Sequence, residues 1–188
     1  MELEVRIARA LNELEEIYKL RYQIYSQVGY IKKEDYPDEK ETDKWDKFSE
    51  HFYVWSANEK KIVGAIRLIF DSEYGFPIGE LYDISFLKNK RFVEVSRRVT
   101  LPNRVKANLC LLQIICQYAR KNGVTDFICS ANPQDIGFYD KIGFVQFGSL
   151  QHYSKVNNPA IGMVLELDKM NEPYKALFFR PSKNILLD

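Results

Sequence analysis

The stretch Asn132–Phe144, which reads NPQDIGFYDKIGF, lies between two apolar segments of the chain. Pro133 stands where a short helix can begin, because proline is tolerated in the first helical turn, and we expect that helix to run to about residue 141. The preceding residues 124–130 have the apolar character of a buried strand, and residues 144–149 predict another strand. The stretch therefore predicts a strand, a short helix and a second strand in succession.

Hydrophobic spacing extends this mixed pattern in both directions. Apolar residues at helical spacing predict amphipathic helices over 8–26 and 107–121. Alternating or continuous apolar segments predict strands over 3–7, 52–57, 62–70, 92–100 and 161–167. Residues 170–188 predict a weak helix followed by an unassigned tail. Without an internal repeat or a linker, this order predicts one mixed α/β (α+β) domain over 1–188.

Composition excludes several functional classes. The 188 residues include 27 Lys and Arg against 26 Asp and Glu, and this net charge of +1 is far below that of a usual nucleic-acid-binding domain. The apolar runs are much shorter than the roughly 20 residues of a membrane-spanning helix, so no integral membrane segment is expected. Two histidines without metal-ligand spacing predict no metal site. Cys110, Cys116 and Cys129 lie in apolar surroundings and predict reduced, buried thiols in a cytoplasmic protein.

Three charges lie inside apolar strand segments. Arg67 stands between Ile66 and Leu68, and alternation assigns it to the face of Val63, Ala65 and Ile69. Glu94 stands between two valines, and Arg97 is assigned to the face of Val93, Val95 and Val99. Charges on apolar faces are costly unless they are paired or functional. The loop 41–46 offers acidic partners, namely Glu41, Asp43 and Asp46.

The stretch Asn132–Phe144 contains a segment that resembles a family motif. Phe138-Tyr139-Asp140-Lys141-Ile142-Gly143-Phe144 is similar to the Phe-Tyr-x-Lys-x-Gly-Phe signature of the GNAT acyltransferase superfamily. Four further motifs occur in the order found in autoinducer (acyl-homoserine-lactone) synthases, and they also resemble the related N-acyl amino acid synthases. They are Arg21-x-x-x-Tyr25, Glu41-x-Asp43-x-x-Asp46, Gly64-x-x-Arg67-Leu68 and Glu94-x-Ser96-Arg97.

Two departures favour the amino acid branch of this family. The stretch 28–31 lacks the tryptophan that homoserine-lactone synthases usually carry there, and Arg98 stands where they usually have phenylalanine. The segment 43–46 followed by His51 and Phe52 is closer to the N-acyl amino acid synthases. The resemblance implies a single GNAT-like domain with a central mixed, mostly antiparallel twisted sheet flanked by helices. It also implies an N-acyltransferase that moves a fatty acyl group from a pantetheine thioester to a small amine acceptor, such as an amino acid.

The resemblance implies acyl carrier protein as the donor and partner, and no tightly bound cofactor. Enzymes of the superfamily that use acetyl-CoA have a glycine-rich loop that lets backbone N–H groups approach phosphates, but residues 104–109 contain no glycine. Basic residues exceed acidic ones between 88 and 106, which would steer an acidic carrier protein; they are Lys88, Lys90, Arg91, Arg97, Arg98, Arg104 and Lys106. Solvated surface charge is the alternative interpretation.

The expected roles follow from the chemistry and from the resemblance. An amine must lose a proton before it attacks a thioester, and Glu94 is our candidate for the base, while Tyr139 is the candidate acid for the leaving thiol. The donor side is expected at Val99, Thr100, Arg104, Lys106 and Ala107, with backbone N–H groups near Val99 and Thr100 polarising the thioester carbonyl. An ionic network would order the acceptor side, which comprises Arg21, Tyr25, Asp43, Trp45, Asp46, Arg67, Ser96 and Arg97.

Three alternatives stay open at this point. The chain could be an acetyl-CoA-dependent GNAT N-acetyltransferase, an autoinducer synthase that uses S-adenosylmethionine, or a non-catalytic module that binds an acyl ligand. An arginine of the ionic network could bind the carboxylate of an amino-acid acceptor. The sequence leaves the acyl chain length, the acceptor, the oligomeric state and the role of 150–188 undetermined.

Overall fold

The computed structural model describes residues 2–153, 157–182 and 184–185. Its helices and strands are, in chain order, β1 Leu3–Ile7, α1 Leu11–Gln27, β2 Ser49–Ser56, β3 Lys61–Ile69, β4 Phe92–Thr100, α2 Val105–Lys121, β5 Asp126–Ala131, α3 Ile136–Ile142, β6 Val145–Gln146, β7 Gln151–Tyr153, β8 Asn158–Glu166 and α4 Glu172–Phe178. Single turns of 3-10 helix lie between them, at Lys33–Asp35, Asp46–Phe48, Pro77–Glu80, Ser85–Leu87, Pro133–Asp135 and Leu167–Lys169.

The strands form one sheet in the order β1-β2-β3-β4-β5-β8-β6, and β7 pairs with β8. The pairing of β4 with β5 is parallel and the other strand pairs are antiparallel. A parallel pair needs a crossover connection, and α2 supplies it between β4 and β5. The predicted mixed, mostly antiparallel sheet flanked by helices is thereby confirmed.

Helices α1 and α2 cover opposite faces of the sheet. Helix α1 packs through Ile17 and Leu20 against Tyr53, Ala65 and Val99. The apolar side of α2 packs on the other face, against a larger cluster that includes Phe52, Val54, Ile66, Leu68 and Val93. Neighbouring strand residues such as Phe52 and Tyr53 therefore join different clusters, as the two-residue repeat of a strand requires.

The connection between β3 and β4 covers part of the sheet on its own. Phe76, Ile78 and Leu87 of this connection pack with Trp45 and with Ile128 of β5. The Tyr82 hydroxyl donates to the backbone oxygens of Ser149, at 2.9 Å, and Ala160, at 2.8 Å. These contacts hold the connection over the side of β4 that carries Glu94.

One face assignment from the sequence is wrong. Alternation placed Arg97 with Val93, Val95 and Val99, but Val93 and Val95 pack in the cluster of α2, whereas Val99 packs in the cluster of α1. The cause is a bulge in β4, where one residue of β3 faces both Arg97 and Arg98 and the φ of Arg97 is +53°. The extra residue moves Arg97 and Val99 to the α1 face of the sheet.

A second register shift, between β2 and β3 beside Val54, moves Val63 into the cluster of α2, away from Ala65. The assignment of Arg67 to the face of both Val63 and Ala65 is therefore also wrong. Most predicted element bounds are otherwise close, but the strand expected over 144–149 is the two-residue strand β6. It ends early because the N–H groups of Phe147 and Gly148 both donate to the Gly162 oxygen. Helix α4 confirms the weak helix in the tail, and residues 183 and 186–188 of that tail lie outside the described residues.

Candidate active site

Three arginines and three carboxylates form a closed ring of ion pairs beside β3 and β4. Each arginine contacts two of the carboxylates, and each carboxylate contacts two of the arginines. In order around the ring they are Arg21, Glu41, Arg97, Asp43, Arg67 and Asp46. The acidic partners expected for Arg67 and Arg97 in the loop 41–46 are thereby confirmed, and Glu41, absent from the expected acceptor residues, completes the ring.

All three guanidinium nitrogens of Arg67 donate hydrogen bonds in this ring or next to it. Its Nη1 and Nη2 atoms donate to the two oxygens of Asp43 at 2.7 and 2.9 Å, and Nη1 also lies 2.5 Å from Asp46 Oδ1. The remaining Nε–H donates to Ser96 Oγ at 2.9 Å. Two parallel bonds between a guanidinium and a carboxylate fix direction as well as distance. The loop 41–46 is therefore held rigidly against β3.

Burial and charge act in opposite directions on the carboxylates of the ring. Burial would raise the pKa of Asp46, but Arg21 and Arg67 outweigh it and hold the pKa well below its usual range. The pKa of Asp43 is likewise lowered, because Arg67 and Arg97 overcome the effect of burial. These two carboxylates stay ionised at neutral pH, and the buried arginines are neutralised within the ring.

Two aromatic side chains anchor the same loop. Trp45 is buried beneath the β3–β4 connection and its Nε1–H donates to the Gly75 oxygen at 3.1 Å. His51 is buried in β2, opposite Arg67, with Nε2 3.1 Å from the Asp46 backbone oxygen. Burial lowers the pKa of His51 to about 4, so the His51 imidazole is neutral at pH 7.

Glu94 lies on β4 next to this ring, with 3% of its surface exposed. The N–H of Ile78, in the β3–β4 connection, donates to Glu94 Oε2 at 3.0 Å. Burial raises the pKa of Glu94 to about 7, against the Ile78 N–H and the charges of Arg67 and Arg97, which lower it. A carboxyl group with this pKa can both take up and release a proton near neutral pH. Sequence reasoning missed Ile78 because no chemical signature distinguishes a backbone donor in a connection.

Glu94 also marks the point where β4 and β5 separate. Their pairing covers only Phe92–Glu94 with Asp126–Ile128, although β4 continues to Thr100 and β5 to Ala131. Beyond this point β4 pairs with β3 and β5 pairs with β8. The two parallel strands therefore diverge into a cleft whose closed end is at Glu94, and we refer to it as the β4–β5 cleft.

Tyr139 borders this cleft on the α2 side of the sheet. Its hydroxyl interacts with the Cys129 thiol of β5, and the Arg98 guanidinium carbon lies 5.6 Å from the centre of its ring. Burial raises the pKa of Tyr139, which keeps the hydroxyl protonated. Apolar side chains of α2 and α4 close a cavity of about 20 Å³ next to it, lined by Leu112, Cys116 and Phe178 among others.

The remaining residues expected on the donor side lie at the end of β4 and the start of α2. Val99 and Thr100 pair with Ala65 and Gly64 of β3, and α2 begins five residues after Thr100. Ala107 is buried in the first turn of α2, whereas Lys106 is exposed there. The Arg104 side chain forms an ion pair with Glu59 at 2.7 Å.

The basic stretch 88–106 does not form one continuous patch. Arg97 belongs to the buried ring, and Lys90 forms ion pairs with Asp126 at 2.7 Å and Glu166 at 3.6 Å, at the far end of β4. Arg98 lies over the Tyr139 ring and 3.8 Å from Asp135, Arg104 pairs with Glu59 of the β2–β3 turn, and Lys106 is exposed on α2. The ring and Glu94 thus lie together, while Tyr139 lies on the α2 side of the sheet and the residues expected on the donor side lie at the end of β4 and the start of α2.

Tyr25 and Tyr30 cover the α1 side of this region. The Arg97 guanidinium carbon lies 5.9 Å from the centre of the Tyr25 ring, and the Tyr25 ring meets the Tyr30 ring edge to face at 5.7 Å. The Asn132 side-chain amide, just beyond β5, donates to the Tyr30 hydroxyl at 3.0 Å. These contacts connect the β4 bulge with the end of β5 across the cleft. The sequence predicts no contact for Asn132, because only the fold brings it to Tyr30.

Within the described part of the chain, no helix has the length and apolar character that a membrane crossing requires. No group of three or more His, Cys, Asp and Glu side chains among those residues is arranged to hold a metal ion.

Comparison with known families and structures points to one enzyme class. The family model of the N-acyl amino acid synthase FeeM matches residues 16–166. No curated protein sequence matches the chain.

Several solved structures share the fold. FeeM, an N-acyl amino acid synthase from uncultured soil microbes, is 23% identical, with a TM-score of 0.77 over 89% of this chain and 92% of that chain. The CoA-dependent acyl-homoserine lactone synthase BjaI is 17% identical, with a TM-score of 0.73 over 99% of this chain and 93% of that one. The acyl-homoserine lactone synthase LasI is 16% identical, with a TM-score of 0.70 over 100% and 98% of the two chains.

Proposed function

This chain belongs to the FeeM family of N-acyl amino acid synthases, and on that premise we propose which groups its acyl transfer involves. The donor is a fatty acyl thioester on the pantetheine arm of an acyl carrier protein. The acceptor is the amine of an amino acid or a similar small molecule. The products are an N-acyl amide and the free pantetheine thiol.

Glu94 carries the proposal, because it places a carboxyl group with a pKa of about 7 at the closed end of the β4–β5 cleft. Free amines are mostly protonated near pH 7, so the acceptor must lose a proton before its nitrogen attacks the thioester carbon. Glu94 takes that proton, directly or through a water molecule. Because the carboxyl group is buried, the proton transfer occurs where charges interact more strongly than in water.

The thioester lies along the open edge of β4. The Leu101 N–H donates to the Val63 oxygen at 3.0 Å, towards β3. N–H groups of successive strand residues point to opposite sides, so we assign the N–H that faces the cleft to Thr100 rather than to Val99. In that position it stabilises the oxyanion that forms when the amine adds to the carbonyl. Collapse of this intermediate expels the thiolate, which takes a proton from Tyr139. The nitrogen loses its second proton to water, and water restores the proton of Tyr139.

The absence of glycine from residues 104–109 supports a carrier protein as the donor rather than free CoA. Helix α2 begins at Val105, and buried Ala107 stands in the turn where glycine would let a pyrophosphate approach the backbone. A pantetheine arm presents a single phosphate to the same helix end. We restrict the contact with an acidic partner to Arg98, Arg104 and Lys106, since the other cations of the basic stretch lie elsewhere or in the ring.

The three arginines of the ring are positioning residues in this proposal. Each already donates to two carboxylates, and Arg67 also donates to Ser96. They hold the loop 41–46 and Trp45 beside Glu94. We assign acceptor contact to the aromatic side of the site, at Tyr25 and Trp45. A cytoplasmic location belongs to the same proposal, because Cys110, Cys116 and Cys129 are free thiols.

Product mass spectrometry tests the proposal. Purified protein is incubated with long-chain acyl carrier protein, an amino-acid mixture and S-adenosylmethionine, and a parallel reaction contains acetyl-CoA as the sole donor. We expect an N-acyl amino acid in the first reaction alone. An acyl lactone would reassign the acceptor, and product from acetyl-CoA alone would overturn the donor assignment.

The variant Glu94→Gln tests the base. Glutamine keeps the shape but cannot take up the proton, so turnover should fall by about 10² to 10⁴. Glu166→Gln, which changes an exposed carboxylate of β8, is the matched control and should retain activity. Wild-type activity in Glu94→Gln would show that another group accepts the proton.

A further inference from the structure

A second cavity lies at the opposite end of β4 from the open end of the β4–β5 cleft. Its volume is about 670 Å³, within the range of small-molecule sites. It lies between the β3–β4 connection and the turn from α2 to β5. We call it the basal pocket, and its principal lining residues are Phe70, Phe76, Ile84, Lys88, Arg91 and Phe92.

The basal pocket combines an apolar floor with a cationic rim. Phe76 and Phe92 pack against each other at 4.7 Å between ring centres and form part of the floor. Lys88 is exposed and makes no ion pair with any described residue, while Arg91 donates to the Asn122 backbone oxygen at 3.1 Å. Neither cation is neutralised by a carboxylate of the described residues, unlike the arginines of the ring.

The other charges of the rim have partners or face solvent. Lys90 is held by Asp126 and Glu166. Glu80 and Asp71 also line the pocket. The Glu80 carboxylate lies 3.6 Å from Lys44, which is not a lining residue, and Asp71 is exposed. Lys88 and Arg91 therefore attract an anionic head group, and the apolar floor offers a surface on which an alkyl chain can pack.

We propose that the basal pocket binds a long-chain carboxylate, with its head group at Lys88 and Arg91 and its chain on Phe76, Ile84 and Phe92. Two ligands carry both a carboxylate and a long alkyl chain. One is a free fatty acid, and the other, if the proposed function holds, is the N-acyl amino acid that the enzyme itself releases. Charge-assisted hydrogen bonds hold the carboxylate, and loss of water from the apolar floor favours burial of the chain.

Occupancy of the basal pocket is coupled to the catalytic carboxyl group through the backbone. Gly75 and Phe76 line the pocket, and the Gly75 oxygen accepts the hydrogen bond from Trp45. Two residues further on, Ile78 donates its N–H to Glu94. A ligand that displaces this segment changes the support of both Trp45 and Glu94, so binding should alter turnover as well as occupy the pocket.

Calorimetric titration of the full chain with sodium laurate and with N-lauroylglycine tests the proposal without requiring turnover. Lys88→Glu with Arg91→Glu should weaken binding by at least about tenfold, because the change removes both charge-assisted contacts and repels the carboxylate. Lys32→Glu with Lys33→Glu makes the same charge change at exposed residues away from the pocket and should leave affinity unchanged. Ile84→Trp, which fills the pocket without changing its charge, should also weaken binding, with folding checked by circular dichroism.

The results distinguish the two ligand sources, and they show whether the ligands bind in the basal pocket or elsewhere on the protein. Equal binding of the two ligands identifies a general fatty-carboxylate site, and tighter binding of N-lauroylglycine identifies a product site. If both ligands bind folded Lys88→Glu/Arg91→Glu and Ile84→Trp with wild-type affinity, or if neither binds the wild type, the proposal is overturned. A failure of the acyl-transfer assay would leave this binding result intact.

Discussion

Glu94 combines two properties that a general base in this enzyme class needs. It is buried, which raises its pKa to about 7, and it lies where two parallel strands part. Neither Val93 nor Val95 supplies that burial, because both pack on the other face of the sheet. The β3–β4 connection supplies it, through residues such as Ile78.

The first prediction concerns the pH dependence of turnover. Only the carboxylate form of Glu94 accepts a proton, so kcat/KM should rise with pH through an apparent pKa of about 7 and then level off. Steady-state rates across the titration range of Glu94 measure this rise in kcat/KM. The residual activity of Glu94→Gln should lack it, and a rate that is independent of pH through neutrality in the wild type would contradict the assignment.

The same raised pKa predicts an effect on stability. Between the ordinary value of 4.5 and the folded value of about 7, the folded chain binds more protons at Glu94 than the unfolded chain does. The contribution of Glu94 to the free energy of unfolding therefore decreases as pH rises through this window, by about 3 kcal/mol at most. Glu94→Gln should be more stable than the wild type at pH 8 in urea unfolding, with the difference vanishing near pH 4. An equal or lower stability at pH 8 would contradict burial as the cause of the shift.

The third prediction concerns Tyr139 as the acid for the leaving thiol. Tyr139→Phe keeps the ring contacts with Phe138 and Phe144 but removes the hydroxyl, so kcat should fall by about 10² or more while thermal stability changes little. Tyr174→Phe, on α4, makes the same chemical change away from the cleft and serves as the control. A Tyr139→Phe enzyme with wild-type kcat would restrict Tyr139 to packing.

At the scale of elements, β4 determines how the ring and the β4–β5 cleft are arranged. Its bulge brings Arg97 to the α1 face, where the residue meets Glu41 and Asp43. Its short pairing with β5 leaves the rest of the strand edge facing the cleft. The bulge requires a positive φ at Arg97, and the two ion pairs of this residue offset the resulting strain.

The fourth prediction tests where the acyl chain lies. Leu112 of α2 lines the small apolar cavity beside Tyr139, which has to open when a long chain enters. Leu112→Ala enlarges this space, so the preference in competition assays should shift towards longer or bulkier acyl donors. The same change should lower the free energy of unfolding by about 2–5 kcal/mol, as for other core truncations. Leu14→Ala, on α1 and outside the cavity, is the control and should leave donor preference unchanged.

At the scale of the whole molecule, the ring of ion pairs joins α1, β3 and β4 to the loop 41–46. Its six charges balance, and most of them are shielded from water. A balanced buried network is stable only while every member keeps its partners, since removing one leaves another charge unpaired.

The fifth prediction follows from that dependence. Arg67→Met leaves Asp43 and Asp46 each without one partner, and should lower the free energy of unfolding by about 3–5 kcal/mol. Arg9→Met, which removes a surface ion pair with Glu50, should cost less than about 1 kcal/mol and is the control. Urea unfolding at pH 7 measures both variants, and similar values for the two would refute the structural role of the ring.

Much of this architecture follows from the amino-acid sequence alone. Helical and two-residue spacing located α1, α2 and the long strands, because amphipathic patterns depend on local periodicity. Arg67, Glu94 and Arg97 were identified as unusual because charges in apolar strands need partners. The family motifs, including Glu41-x-Asp43-x-x-Asp46, specified the branch of acyltransferases.

The arrangement of partners required the folded chain. The bulge at Arg97 depends on pairing with β3, and the neutrality of His51 depends on burial among residues that are distant in sequence. The hydrogen bond from Ile78 to Glu94 and the basal pocket both arise from a connection without a regular pattern. Periodicity and residue type are properties of the local chain, whereas burial, register and pKa depend on contacts between distant segments.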